Sequence, residues 1–176
     1  MSLDAIIQTR FGAFDPHAGL PDELFDYVRR VVPLVGVELI IHSEEKGFLL
    51  RYRDDAFYKG WHFVGGLLRF RESWSERIQK TAENEIGTPV VHDAHPFQIV
   101  ENIEEDMDPR THSVNLLFHC RLTDTEIIQS VTENTKSLSG GELGWFEEMP
   151  RNILKMHTKY FALWQADKNK TQLRDL

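Results

Sequence analysis

A single cysteine, Cys120, in a chain of 176 residues excludes an intramolecular disulfide framework and any zinc cluster built on cysteine. No uninterrupted apolar run approaches the roughly 20 residues needed to cross a bilayer. The opening MSLDAIIQTRFGAFDP also lacks the basic region and long apolar core of a signal peptide. Basic charge is in short supply: 20 Lys and Arg against 28 Asp and Glu leave a formal charge of −8, a poor footprint for nucleic acid. The absences together predict a cytoplasmic protein with neither a membrane nor a nucleic-acid partner. What is present is ordinary for a folded protein, with 41% hydrophobic and 27% charged residues. The length predicts one domain over 20–166, preceded by an arm (1–19) and followed by a charged tail (167–176) expected to fray.

Patterning predicts alternating strands and helices. Pro21-Asp22-Glu23 suits a helix start, with proline in the first turn and acids at the positive end, and the helix should reach about Val31. Leu34–His42 and Gly47–Arg53 read as two paired strands, and Trp61–Phe70 as a third interrupted by Gly65-Gly66. Ser73–Ile86 reads as a helix capped by Ser73 and ended by Gly87. Phe97–Glu101, Ser113–Leu122 and Glu142–Glu147 read as further strands, with a short helix over Asp124–Val131. Pro150–Gln165 reads as an amphipathic helix with Tyr160, Phe161 and Trp164 on its apolar side. Mixed strands with helices at separate places imply a layered α/β or α+β domain.

Chemistry concentrates between Gly65 and Gly87. In the run Gly65-Gly66-Leu67-Leu68-Arg69-Phe70-Arg71-Glu72, a helix, then Lys80-Thr81-Ala82-Glu83-Asn84-Glu85-Ile86-Gly87, the spacing resembles the Nudix box, G-x5-E-x7-R-E-U-x-E-E-x-G-U with U a bulky apolar residue. Gly66, Glu72, Glu85 and Gly87 fall in register. Lys80 replaces the arginine, and Thr81 and Asn84 replace two of the three metal-site carboxylates. At about 100° per residue, positions 81, 84 and 85 share one arc of the helix. Three carboxylates there would make a hard-oxygen site for Mg²⁺. Thr81, Asn84 and Glu85 keep oxygen ligands but one charge. Trp74, Ile78 and Ala82 form the stripe expected to bury, while Glu76 and Lys80 are spaced as an exposed ion pair.

The resemblance implies the Nudix fold, an α/β/α sandwich with a mixed sheet, and a Mg²⁺ cofactor, or Mn²⁺ in its place. Loss of the same two glutamates is a mark of the GDP-mannose mannosyl hydrolases, and the likeness continues outside the box. Val32-Pro33-Leu34-Val35-Gly36-Val37-Glu38 looks like that family's first strand, where an acid, here Glu38, reads the guanine edge. Leu49-Leu50-Arg51-Tyr52-Arg53 resembles its second, whose last arginine, here Arg53, contacts phosphates and helps neutralise the leaving group. Arg110-Thr111-His112 resembles a Thr-His motif near the sugar, and Gly144-Trp145 the late strand. Read residue by residue, the resemblance puts metal on Glu85 and a carbonyl of Gly65 or Gly66. Glu72, Lys80, Thr81 and Asn84 support the box, Glu38, Arg53 and Arg69 bind substrate, and His112 and Arg53 are catalytic. The implied reaction is hydrolysis of a GDP-sugar at the anomeric carbon to GDP and free hexose, by a homodimer.

The chain departs from that family in two places. A Gln-His pair, the His serving as base, precedes the late strand there; Ser139 and Gly140 stand here. The arginine expected after the glycine pair is Leu67, with Arg69 two residues on. Three accounts follow. His112, Glu101, Glu104 or Glu105 replaces the base; or water attacks phosphorus of a nucleoside diphosphate derivative or triphosphate; or the protein binds a nucleotide sugar with little turnover.

Overall fold

Alternation along one strand sets the plan of the molecule. In the computed structural model, which describes residues 1–56, 58–103, 112–123 and 140–174 with side chains through 170, β1 spans Leu34–Ser43. Val37, Leu39 and Ile41 face one side and Ile40 the other, so both faces of the sheet are apolar at β1. Such a strand belongs in the middle of a sheet covered on both sides. It pairs with β6 (His112–Leu122) in parallel and with β3 (Lys59–Leu67) antiparallel. β2 (Gly47–Asp54), β4 (Val90–His92), β5 (Gln98–Ile103) and β7 (Leu143–Phe146) complete a seven-stranded mixed sheet in the order β4-β6-β1-β3-β2-β7, with β5 on β6.

Helix α3 (Trp74–Glu85) covers one face, burying Ile78 and Ala82 against Val37, Leu39, Val64 and Phe118. The C-terminal helix α4 (Thr158–Arg174) covers the other with Tyr160 and Trp164 against Ile40, Leu50 and Phe63. Each fully buried side chain contributes about 1.5–3 kcal/mol. Ser73 caps α3, and its backbone N–H is met in turn by Glu76, a reciprocal capping box. Gly87, at φ 87°, turns the chain away as expected of a residue just past a helix end.

Several expectations need correction. The third strand is not interrupted by Gly65-Gly66; it runs through both to Leu67 because neighbouring side chains occupy the space a Cβ would need. Trp74 is 39% exposed: it is the first residue of α3, and its ring only tilts toward Phe118. Glu76 is spent on the cap, so Lys80 turns to Glu72 instead. The last helix begins at Thr158 after a 3₁₀ turn (Lys155–His157) and continues to Arg174. Helix α1 (Leu3–Phe11) and strand β4 were not anticipated: α1 buries no residue and so leaves no core-facing stripe to read, and β4 is only three residues long. Helix α2 (Asp22–Val31) starts where Pro21 directed. The segment Asp124–Val131 lies outside the described residues, as do Glu104, Glu105, Arg110, Thr111 and Ser139. No described helix is long and apolar enough to cross a membrane.

Candidate active site

Strand β3 changes partners midway. Gly60 to Phe63 pair with β2, and Val64 to Leu67 pair with β1. Residues two apart direct their N–H groups alike, and Trp61, Phe63 and Gly65 use theirs outside the strand ladder. Trp61 N–H donates to the Asn152 carbonyl at 3.0 Å, Phe63 N–H to His157 Nδ1 at 3.3 Å, and Gly65 N–H to the Glu85 carboxylate. Leu154 N–H returns to the Trp61 carbonyl at 2.8 Å, which anchors the segment carrying His157. This row opens onto a cavity of about 700 Å³.

Glycine is required where the walls meet. A Cβ on Gly65 would stand 2.5 Å from Glu38 Oε2, and one on Gly66 would collide with Thr81 Oγ1. The two glycines let β1 and α3 bring side chains against the same short stretch of backbone. Thr81, Asn84 and Glu85 all line the cavity, as the shared arc predicted.

Glu72 is the satisfied acid of the motif. Its side chain is fully buried, Oε1 accepts from Lys80 Nζ at 2.9 Å, and Oε2 from Arg77 Nε at 2.7 Å and Arg69 N–H at 3.0 Å. Burial alone would raise its pKa, but these donors outweigh it and hold the carboxyl down at about 2. It ties the loop before α3 to the helix itself. Arg77, which sequence reasoning passed over, is the inner half of that tie.

The other acids lack such partners. Glu38 is 8% exposed, and its Oε2 has no hydrogen-bond partner among the described residues; neither has Glu85 Oε2. Burial raises the pKa of both, and the Glu85 charge raises Glu38 further. Arg51 and Arg53 offset part of the cost at Glu85. Glu38 stands on a central strand, between β6 and β3, and lines the cavity.

Arg51 and Arg53, two apart on β2, both line the cavity. Arg53 pairs with Asp55 and stacks over Tyr58, while Arg51 Nε is buried without a partner among the described residues. Arg69 also lines it, its guanidinium against Gly19. Gly140 and Gly141 lie beside β2, with Gly141 N–H donating to the Tyr52 carbonyl at 2.8 Å. Gly140 carries no side chain that could stand in for the missing histidine.

The imidazoles differ from expectation. His112 is not among the cavity's lining residues; its Nε2 faces Glu101 Oε1 at 3.5 Å across the β5–β6 pair, so its placement lends no support to a catalytic role. His62 and His157 line the cavity instead. His62 Nδ1 donates to the Phe63 carbonyl at 2.6 Å, which leaves Nε2 as a buried lone pair without a partner among the described residues. Burial lowers its pKa to about 4, so the ring is neutral at pH 7. His157, also lowered by burial, accepts at Nδ1 from Phe63. Neither could be found from sequence: His62, in the apolar run Trp61–Val64, reads as an ordinary core residue, and His157, between Met156 and Thr158, belongs to no recognisable motif.

The metal implied by the box can be tested against these groups. Among the described residues no three His, Cys, Asp or Glu side chains form a metal-holding group. Yet Glu85 presents a buried oxygen with no donor, beside Thr81 and Asn84, on a hard-oxygen surface that suits Mg²⁺ or Mn²⁺. The residues fit a cation of that kind.

No family model matches the sequence. The low-salt glycan biosynthesis protein Agl8 of Haloferax volcanii is 32% identical over 76 residues, which is 43% of this chain and 48% of that protein. The chain thus matches about half the length of its curated relative. Among solved structures, a Jonesia denitrificans protein described as a possible asymmetric diadenosine tetraphosphate hydrolase is similar with a TM-score of 0.58 and 18% identity, over 78% of this chain and 95% of that one. A Nudix hydrolase from Nitrosomonas europaea has a TM-score of 0.56 and 16% identity, over 77% and 90%. The chain has the Nudix fold.

Proposed function

We propose that the protein is a divalent-cation-dependent hydrolase of a nucleotide sugar, cleaving GDP-mannose or GDP-glucose to GDP and free hexose at the anomeric carbon. The observation that carries this reading is the meeting, in one cavity, of Glu85 with an unpartnered oxygen and Arg51 with an unpartnered guanidinium nitrogen. A carboxylate oxygen without a donor and a guanidinium nitrogen without an acceptor are complementary to a cation–diphosphate pair. When bound, Mg²⁺ would neutralise charge that builds on the departing diphosphate. Arg51 and Arg53 hold the phosphate oxygens, and Glu72, through Arg77 and Lys80, keeps the loop after β3 in place. His62 Nε2 accepts a hydrogen bond from a sugar hydroxyl or from water. The loss of two box carboxylates, shared with the GDP-mannose mannosyl hydrolases, supports the sugar nucleotide as substrate.

A second reading is attack at phosphorus of a nucleoside diphosphate derivative, which the likeness to the diadenosine tetraphosphate hydrolase favours. Product analysis separates the two. The protein is incubated with GDP-mannose, GDP-glucose and a nucleotide panel in ¹⁸O-water with Mg²⁺. GDP with labelled hexose supports the first; GMP with hexose phosphate supports the second. Saturable binding with no product at high protein concentration would make it a nucleotide-sugar-binding protein and overturn both.

A further inference from the structure

Glu38 is the feature the proposed reaction leaves unexplained. It stands on β1 in the row that also holds Ile40, a place the core fills with apolar side chains, and burying a carboxylate there is costly without a partner. Its surroundings supply none. Gly65, directly opposite in the β1–β3 register, contributes only backbone, with the Glu38 Oε2 only 2.5 Å from where its Cβ would be. His157 Nδ1 is 3.9 Å from that oxygen but already accepts from Phe63 N–H, so it cannot donate. Tyr160 OH, which accepts from Asn102 and Asn115, makes no hydrogen bond to that oxygen. The next acid is Glu85, which takes the Gly65 N–H from the α3 side. Two carboxylates from separate elements thus close on one glycine, each with an unpartnered buried oxygen.

We infer that Glu38 and Glu85 together ligate a divalent cation of the Mg²⁺/Mn²⁺ class at Gly65, with the β1 carboxylate replacing the negative charge that the α3 face lacks at Thr81 and Asn84. The arrangement restores a second anionic ligand without a second acid on the helix. It also explains why a glutamate sits in an apolar strand and why position 65 has no side chain. This rests on the proposed cation-dependent hydrolysis, and it differs from the guanine-edge role suggested by resemblance: the oxygen is flanked by an acid and an acceptor, surroundings that favour a cation.

The test reads binding, not turnover. Full-length protein stripped with EDTA is titrated with Mn²⁺, and free Mn²⁺ is followed by electron paramagnetic resonance. Glu38→Gln and Glu85→Gln should each weaken Mn²⁺ binding by on the order of tenfold to 100-fold, the range that losing even an orienting partner costs a metal site. Thermal melts serve as the folding control. In EDTA, Glu38→Gln should melt no lower than the wild type, because an unpartnered acid has been replaced by a neutral amide, and Mg²⁺ should no longer raise its melting temperature. If Glu38→Gln unfolds, Glu38→Asp keeps the charge but withdraws it, and should also bind Mn²⁺ more weakly than wild type. Wild-type Mn²⁺ affinity in the Glu38 variants would overturn the inference while leaving the hydrolase reading intact if Glu85→Gln still loses binding. A wild type that takes up no Mn²⁺ overturns it as well, whatever the products. A selective loss of GDP over ADP binding in metal-free Glu38→Gln, with Mn²⁺ affinity unchanged, would return Glu38 to nucleobase recognition.

Discussion

Glu72 and Glu85 lie at opposite ends of one short motif and are treated in opposite ways. Every lone-pair direction that matters on Glu72 is filled, by Lys80, Arg77 and the Arg69 N–H, and its pKa is held at about 2. Glu85 receives the Gly65 N–H, its other oxygen is bare, and burial raises its pKa. Both have carboxylate oxygens shielded from solvent. The difference is in donors, and it separates a carboxylate that holds the loop from one prepared to meet a cation. A folded chain gains nothing from leaving an acid buried and bare, so the bare one is where a ligand is expected.

The contrast can be tested from both ends. The largest effect expected is on activity: Glu85→Gln should lower kcat/KM of the Mg²⁺-dependent reaction by on the order of 10³-fold, with a melting temperature in EDTA equal to or above wild type. Unchanged turnover would remove Glu85 from the site. Glu72→Gln should behave the other way, costing about 3 kcal/mol in urea unfolding, because it leaves the inner Arg77 with an uncompensated buried charge. A variant as stable as wild type would show that the tie does not hold the loop.

The same carboxyl predicts a pH signature. Its folded pKa lies below its ordinary value of 4.5, so its contribution is complete above that value and is lost as pH falls toward about 2. Unfolding free energy measured between these limits should fall more steeply in wild type than in Glu72→Gln; parallel curves would place the acid sensitivity elsewhere. The smallest effect is on the cap between the two acids. Ser73→Ala removes a reciprocal hydrogen bond and should cost about 1 kcal/mol, with little change in KM. A rise in KM beyond that loss would mean the cap also orders the cavity.

Much of this was legible before any coordinates. The alternation of Leu34–His42, the cap at Ser73 and the terminating Gly87 are local signals, and the strands and helix they predict are present. The shared arc of positions 81, 84 and 85 follows from helical pitch alone and faces the cavity. What stayed hidden depends on which of several competing partners the folded chain brings together. Glu76 and Lys80 have the spacing of a pair, but the cap and the loop acid compete for them and win. Gly65-Gly66 has the composition of a turn and forms strand, because what matters there is the room needed by Glu38 and Thr81. His62 and His157 are 95 positions apart in number and meet at neighbouring backbone sites of β3 only through the Asn152–Leu154 anchor.

The sequence by itself determined the layered fold and the face of α3 that carries oxygen ligands, since period and capping act over a few residues. The shortage of basic residues bore only on large polyanions; it left open a site where two arginines on one strand meet acids from two other elements. Which acids would be paired and which left bare was decided by tertiary structure alone. Hydrogen bonding to a buried carboxylate depends on how loop, helix and strand fold onto one another: Arg69 N–H, Arg77 and Lys80, near it in sequence, converge on Glu72, while Gly65 has one N–H to give and two carboxylates from other elements beside it.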